Sequence, residues 1–346
     1  MNNNVTLPLL NINDTSGICP QPLYWTSSAV DNRVARLVVC IIATFTHSIF
    51  WLQLACCSSV RQGSMQWLYA YLITDLLLII RYVSVYIVYT TTTDCYPNQS
   101  WVLFMYYFEA TFDNYLNILE VYILLALNIC RYIQIVYNRN VYQLYRKYLL
   151  AAHVCIYTVP AISILIQFYA GWCQLLVVPR NYCQVMYTNI YIQAFNVITA
   201  FALPIALNII IIYCSVRHVR SASTVRAGAH HVSARQKYNR SLVIQFLVFY
   251  TIWLSLWSPN VVAFQVSIAD GDVTRYVRML NFVEIALDPI IIAALDVRFW
   301  QEWRRVILHL KANHLCSGTN PARVQPTTTA ANMPSVKQPR LDATAL

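Results

Sequence analysis

Runs of twenty and more residues with scarcely a charge recur along this chain, separated by short segments rich in Arg and Lys. A hydrocarbon core of about 30 Å takes ~20 mostly apolar residues to cross as a helix. Seven segments meet that length: 34–58, 66–90, 101–135, 148–170, 188–214, 241–266 and 276–296. Helix is the conformation to expect, because lipid offers no partner for free backbone N–H and C=O groups. The segments are too long and continuous for the alternating strands of an outer-membrane barrel. Composition agrees: of 346 residues 58% are hydrophobic and 11% charged, where a soluble domain carries about 25% charged residues. This excludes an ordinary cytosolic enzyme, and six glycines exclude a Gly-rich nucleotide-binding protein. The net charge of +10 comes from basic residues scattered between apolar blocks, so membrane lipid rather than nucleic acid is the expected partner. The fold class expected is all-α, a seven-transmembrane helix bundle followed by a short amphipathic helix.

Orientation follows from Lys and Arg. Segments 59–65, 131–147, 215–240 and 297–346 hold 18 of the 24, against Arg33, Arg36, Arg180, Arg275 and Arg278 at the opposite ends and Arg81 within a span. Basic loops stay in the cytoplasm, so the N-terminus is expected outside. The chain then divides into an extracellular tail (1–33), the membrane domain (34–296), an amphipathic juxtamembrane helix (297–312) and a disordered cytoplasmic tail (313–346). Asn4 and Asn13 stand in glycosylation sequons of the outer tail. In the juxtamembrane helix Phe299, Trp300, Trp303, Ile307 and Leu310 form an apolar side, and Arg298, Arg304, Arg305 and Lys311 suit anionic headgroups. Cys316, just beyond, is a palmitoylation candidate.

Five short motifs fall in order on five of the expected spans. They are Leu72-Ile-Thr-Asp75-Leu-Leu, Leu125-Ala-Leu-Asn-Ile-Cys130-Arg131-Tyr132, Pro204, Trp257-Ser-Pro259 and Asp288-Pro289. Together they resemble the helix signatures of the class A, rhodopsin-like G protein-coupled receptors, over about residues 34–312. The resemblance implies a plasma-membrane receptor without enzymatic activity. An extracellular ligand would shift its equilibrium toward a state that engages a heterotrimeric G protein. Arg131, Tyr132, Trp257, Pro259, Asp288 and Pro289 would carry the switch. The chain departs from the family pattern at Cys130, where an acid normally precedes Arg131, and at Ile292, His47 and Thr158; residues 235–242 also offer no acid. Arg131 is therefore expected to lack its usual carboxylate lock and basal signalling to be raised.

Ionisable groups within a bilayer are costly and default to functional hypotheses. Six acids lie within the spans: Asp75, Glu109, Asp113, Glu120, Glu284 and Asp288. Glu109, Asp113, Asn117 and Glu120 share one helical stripe, which is expected to face the interior. Asp75, Glu120, Glu284 and Asp288 match, position by position, the family's interior sodium pocket. Four buried carboxylates cannot all carry charge, and three readings stay open: a bound cation such as Na⁺, protonated and hydrogen-bonded acids with His47 as a partner, or a cluster that couples protonation to activation. No other cofactor is expected.

Asp113 stands where the resemblance implies a salt bridge to a small amine, in a pocket with Asn117, Asn196, Trp257 and Phe282. The competing reading is internal pairing, since Arg81, Asp113 and Arg278 lie at similar depths. A neuropeptide would instead use Glu109, Arg278 and the second external loop. Outside the family, the acid cluster suits a proton- or cation-coupled transporter. Of eleven cysteines, Cys19, Cys95, Cys173 and Cys183 are expected in the oxidising compartment. The resemblance marks Cys183 as the second-loop half-cystine. Tyr106 occupies the place of its usual partner, so Cys95–Cys183 is the expected pair, with Cys19–Cys173 as a second.

Overall fold

The computed structural model describes residues 21–57, 65–137, 140–178, 182–225, 234–266 and 271–295, and beyond these only Phe299, Gln301, Glu302, Arg304, Arg305 and Leu308. Of the described residues 87% are helical. The elements are α1 (Ser27–Cys56), α2 (Gln66–Thr91), α3 (Gln99–Tyr137), a short α4 (Val141–Leu144), α5 (Arg146–Tyr169), β1 (Cys173–Val178), β2 (Tyr182–Tyr187), α6 (Ile190–Asn196), a π-helical turn (Val197–Ala202), α7 (Leu203–Val225), α8 (Ala234–Val266) and α9 (Gly271–Leu295). The chain divides into two units, Met1–Gln301 and Glu302–Leu346. Within the second, Glu302, Arg304, Arg305 and Leu308 are helical, and Arg305 pairs with Glu302 at 2.8 Å. Trp300, Trp303, Ile307, Leu310, Arg298 and Lys311 of the expected amphipathic helix lie outside the described residues.

Local sequence explains the boundaries. Thr26 caps α1 by accepting the Ala29 N–H at 3.3 Å, and Asn189 caps α6 by accepting that of Tyr191 at 2.9 Å. Helix α5 ends in a Schellman turn, with the Trp172 N–H on the Gln167 carbonyl and the Gly171 N–H on that of Phe168. Gly171 supplies the positive φ of 69° that the turn requires. Pro204 has no N–H to give, and its ring would crowd the carbonyl four residues earlier. The π turn at Val197–Ala202, just before it, widens the ladder there.

Six helices are long and apolar enough to cross a membrane: α1, α2, α3, α5, the run Ile190–Ser221 through α6 and α7, and Val243–Ala263 of α8. Helix α9 has the length, ~38 Å at 1.5 Å per residue, but carries Arg278, Glu284 and Asp288. The packing forms a ring, with α1 on α2, α2 on α3, α3 on α7, α7 on α8, α8 on α9 and α9 back on α1; α5 leans on α3 from outside. Helix α3 is the axis, touching α2, α4, α5, α7 and the hairpin. The outward faces are apolar, as Ile41, Phe45 and Leu52 on α1 and Ile162, Leu165 and Ile166 on α5 illustrate, each more than half exposed. The β1–β2 hairpin is an addition to the all-α expectation. It closes one end of the bundle, in register Val177 opposite Cys183.

Candidate functional site

The polar interior forms two layers. The inner one is acidic, and all four of its expected residues come together: Asp75 of α2, Glu120 of α3, and Glu284 and Asp288 of α9 are each at most 1% exposed. Tyr71, one helical turn before Asp75, places its hydroxyl against both Glu284 Oε1 (2.6 Å) and Asp288 Oδ2. A hydroxyl has one proton to donate. Tyr71 therefore stands as the shared hydrogen-bond partner of Glu284 and Asp288, linking α2 to α9. Glu120 lies beside Asp75 and accepts the Trp257 indole N–H at 3.0 Å. His47 donates from Nε2 to the Ile285 carbonyl (3.1 Å) and stands 4.0 Å from Asp75 Oδ2.

Both oxygens of Asp75, Glu120 Oε1, Glu284 Oε2 and Asp288 Oδ1 are buried without a hydrogen-bond partner. In kind this all-oxygen set suits Na⁺. In placement it does not, because among the described residues no three His, Cys, Asp or Glu side chains converge on one ion position. The acids fall into two pairs, Glu284 with Asp288 across Tyr71 and Asp75 with Glu120.

The outer layer is a cavity of about 80 Å³ under the hairpin, open to solvent at its mouth. Four arginines line it, Arg33 and Arg36 from α1, Arg81 from α2 and Arg278 from α9, against two acids of α3, Glu109 and Asp113. Its apolar wall includes Trp25, Tyr82, Val85, Phe201 and Phe282. Arg81 binds Asp113 Oδ1 directly and gives a second N–H to the Glu109 carbonyl at 2.8 Å. The side chains of this pair are 9% and 35% exposed. This is the internal pairing set against a ligand amine in the sequence reading. Asn117 lines the cavity and donates to the Asp113 carbonyl at 2.8 Å. Phe282 packs on Tyr82, centroids 4.9 Å apart, and Arg278 donates to Gln184 of the hairpin at 3.4 Å.

Two expected ligand residues lie elsewhere. Asn196 is buried and donates to the Tyr187 hydroxyl at 2.6 Å, so it ties α6 to the hairpin. Trp257 belongs to the acid layer, sandwiched between Trp253 (4.6 Å) and Phe201 (5.8 Å). The expected Cys95–Cys183 disulfide is also corrected. Cys183 is a free thiol, as is Cys173, while Cys95 is disulfide-bonded to a partner outside the described residues. Both thiols of the hairpin pack into one apolar cluster with Trp25, Tyr89, Met105 and Tyr106. Burial there pushes the Cys173 thiol up to about 12 and that of Cys183 higher still. Asn4, Asn13, Cys19, Arg180 and Cys316 lie outside the described residues.

At the far end of α3, Arg131 is 7% exposed. Its Nη1 reaches Gln134 Oε1 at 3.3 Å, its guanidinium lies 5.2 Å from the Phe246 ring of α8, and its Nε has no acceptor. Among the described residues no carboxylate pairs with it. Tyr132 follows on the same helix, half-buried. Pro259 and Pro289 sit inside α8 and α9. Sequence reasoning missed Tyr71, Arg33 and Arg36. The signal was present: Tyr71 precedes Asp75 by four residues, and Arg33 and Arg36, three apart, share one face of α1.

Compared with known proteins, the chain matches no protein-family model and no curated protein.

Proposed function

We propose that this protein is a seven-helix receptor of the class A kind in the plasma membrane, with α9 as the seventh span and the hairpin end outside. The observation that carries the reading is Arg131: a buried, always-charged group at the end of α3, held over α8 by an aromatic ring and an amide instead of a carboxylate. A buried guanidinium without an anion is costly, and an incoming partner that supplies backbone carbonyls or a carboxylate relieves that cost. Supporting it, two acids of α9 turn inward: Glu284 and Asp288 are buried, while Ile290 on the opposite side is exposed. Trp257 belongs to the acid layer through Glu120, and Pro259 lies two residues on in α8, beside Asn260 and Val261 of the cavity lining, so a ligand's arrival can be relayed along α8. Such a relay requires only that the ligand bind two states with different affinity.

The test is basal activation of heterotrimeric G proteins in cells, wild type against Arg131→Ala at matched surface expression. The expected result is a basal signal that Arg131→Ala abolishes and Cys130→Asp, by restoring an acid beside Arg131, lowers. A second reading rests on the unpartnered carboxylates of the inner layer, which suit a cation- or proton-coupled transporter. No basal signal, together with liposome ion flux abolished by Glu120→Gln, selects that reading.

A further inference from the structure

We infer that a groove at the Arg131 end of the bundle seats one anionic phospholipid, with an acyl chain between α3 and α5 and the phosphate on Arg146 and Lys147. The inference needs the bundle to cross a membrane and does not rest on the receptor reading. Shape is the first ground. A groove of about 720 Å³ opens where α3, α4 and α5 meet, on the outward side that exposes Ile129 and Tyr148. From Ala126 to Tyr137 its α3 wall runs ~16 Å at 1.5 Å per residue, about half of a ~30 Å hydrocarbon core. That wall is apolar, with Ile129 and Ile133 of α3 facing Leu149 and Ala152 of α5. Trp67 of α2, fully buried, completes the lining. His153 of α5 stacks on Trp67 at 3.7 Å and sets its own Nδ1 on the Leu149 carbonyl at 2.9 Å, which fixes the wall in place.

Charge is the second ground. No Asp or Glu stands between Glu120 and Asp270, so α4, α5 and this end of α3 carry none, and Asp75 of α2 lies in the buried acid layer. Arg146 and Lys147 open α5 and are exposed, and among the described residues no carboxylate pairs with either. Tyr145 and Tyr148, immediately before and after them, both line the groove. Two cations and the apolar rim thus share one helical turn. With Tyr137 these tyrosines edge the groove as amphipathic aromatics do at headgroup depth. An outward apolar groove within the bilayer takes a lipid chain, and the pair of cations beside it selects a headgroup of net negative charge. A sterol would fill the groove and leave both cations as they were.

The test titrates three lipids into the purified full chain in detergent micelles and follows thermal unfolding: dioleoylphosphatidylglycerol, dioleoylphosphatidylcholine with the same chains, and cholesterol. The glycerol lipid is expected to raise the midpoint saturably, by about 2–4 °C, and the other two to raise it by less than half as much. Arg146→Gln with Lys147→Gln should raise the half-saturating concentration of the glycerol lipid about tenfold. Ala152→Phe, which fills the groove and keeps both cations, should weaken binding to a similar extent. Arg217→Gln with Arg220→Gln removes the same charge from α7 and should leave binding unchanged. The inference is overturned if the two phospholipids stabilise alike, if cholesterol stabilises as strongly as the glycerol lipid, or if the glycerol lipid does not stabilise at all. It is overturned equally if the α5 pair or Ala152→Phe binds unchanged, or if the α7 pair costs as much as the α5 pair, which would mean diffuse attraction to a basic surface.

Discussion

The two polar layers of this bundle solve opposite problems. The inner layer gathers four carboxylates, one tyrosine and one histidine, with no Arg or Lys among them. The cavity above it gathers four guanidiniums against two carboxylates. One helix, α3, supplies acids to both: Glu109 and Asp113 face the arginines, and Glu120 faces Asp75. Both layers hold unmet groups: carboxylate oxygens and His47 Nδ1 in the inner one, and in the outer one Arg36 Nε and Arg81 Nε together with Glu109 Oε2, Asn117 Oδ1 and Asn281 Oδ1. A surplus of acceptors, as in the inner layer, can be relieved by protons, which need no space. A guanidinium cannot be relieved that way, because arginine keeps its charge; in the outer layer donors and acceptors stand side by side.

The inner layer offers the largest test. If Tyr71 holds Glu284 and Asp288 together, Tyr71→Phe leaves two fully buried carboxyls without their shared partner. The expected cost is about 2–4 kcal/mol, read as a fall in the unfolding midpoint in nanodiscs. Combining it with Glu284→Leu, which removes the orphaned group, should recover a large part. A cost near zero would mean that the acids are satisfied some other way and that the layers do not differ as described.

The outer layer gives a smaller effect. Breaking the Arg81–Asp113 pair in a double-mutant cycle with Arg81→Gln and Asp113→Asn should yield a coupling of about 1 kcal/mol, since Asp113 remains a third exposed and water screens the pair. Zero coupling would mean that Arg81 does not hold Asp113 and would free that carboxylate for an external cation.

How much of this was legible depended on the kind of signal. The apolar runs placed the helices to within about three turns, because crossing length and backbone satisfaction leave little choice. Helix α9 was found in spite of its charges, since Glu284 and Asp288 recur four residues apart on one face. The grouping of Asp75, Glu120, Glu284 and Asp288 came instead from the resemblance, which implies one interior pocket for these positions. What stayed hidden was pairing across helices. Nothing in the chain order says that Tyr71 of α2 reaches α9, or that Asn196 turns to the hairpin instead of the cavity. The hairpin itself was hidden too: Cys173–Val178 and Tyr182–Tyr187 are apolar runs of six residues, too short to separate strand from loop by periodicity. The Cys95–Cys183 pair, implied by the resemblance with Cys95 standing in for the usual partner, fails for that reason: the burial of Cys183 against α3 depends on the strand register.

The smallest expected effect tests that correction. With the Cys173 and Cys183 thiols pushed up by burial, to about 12 for Cys173, almost no thiolate is present at neutral pH, and the thiolate is the reactive species. A membrane-impermeant maleimide at pH 7.5 should leave both unlabelled in intact protein and label both after unfolding, with mass spectrometry of the peptides as the measurement. The linkage has a definite sign. A thiol whose folded value exceeds its unfolded one, about 8.5, stabilises fully below that pH, and the contribution is lost as pH climbs from there toward about 12 for Cys173. Cys173→Ala and Cys183→Ala should therefore flatten the fall in stability above pH 9 and change little at pH 7 beyond the lost packing. A Cys95–Cys183 disulfide predicts a different pattern: Cys183 would stay unlabelled even in the unfolded chain until a reductant is added, and the peptides would run as a linked pair.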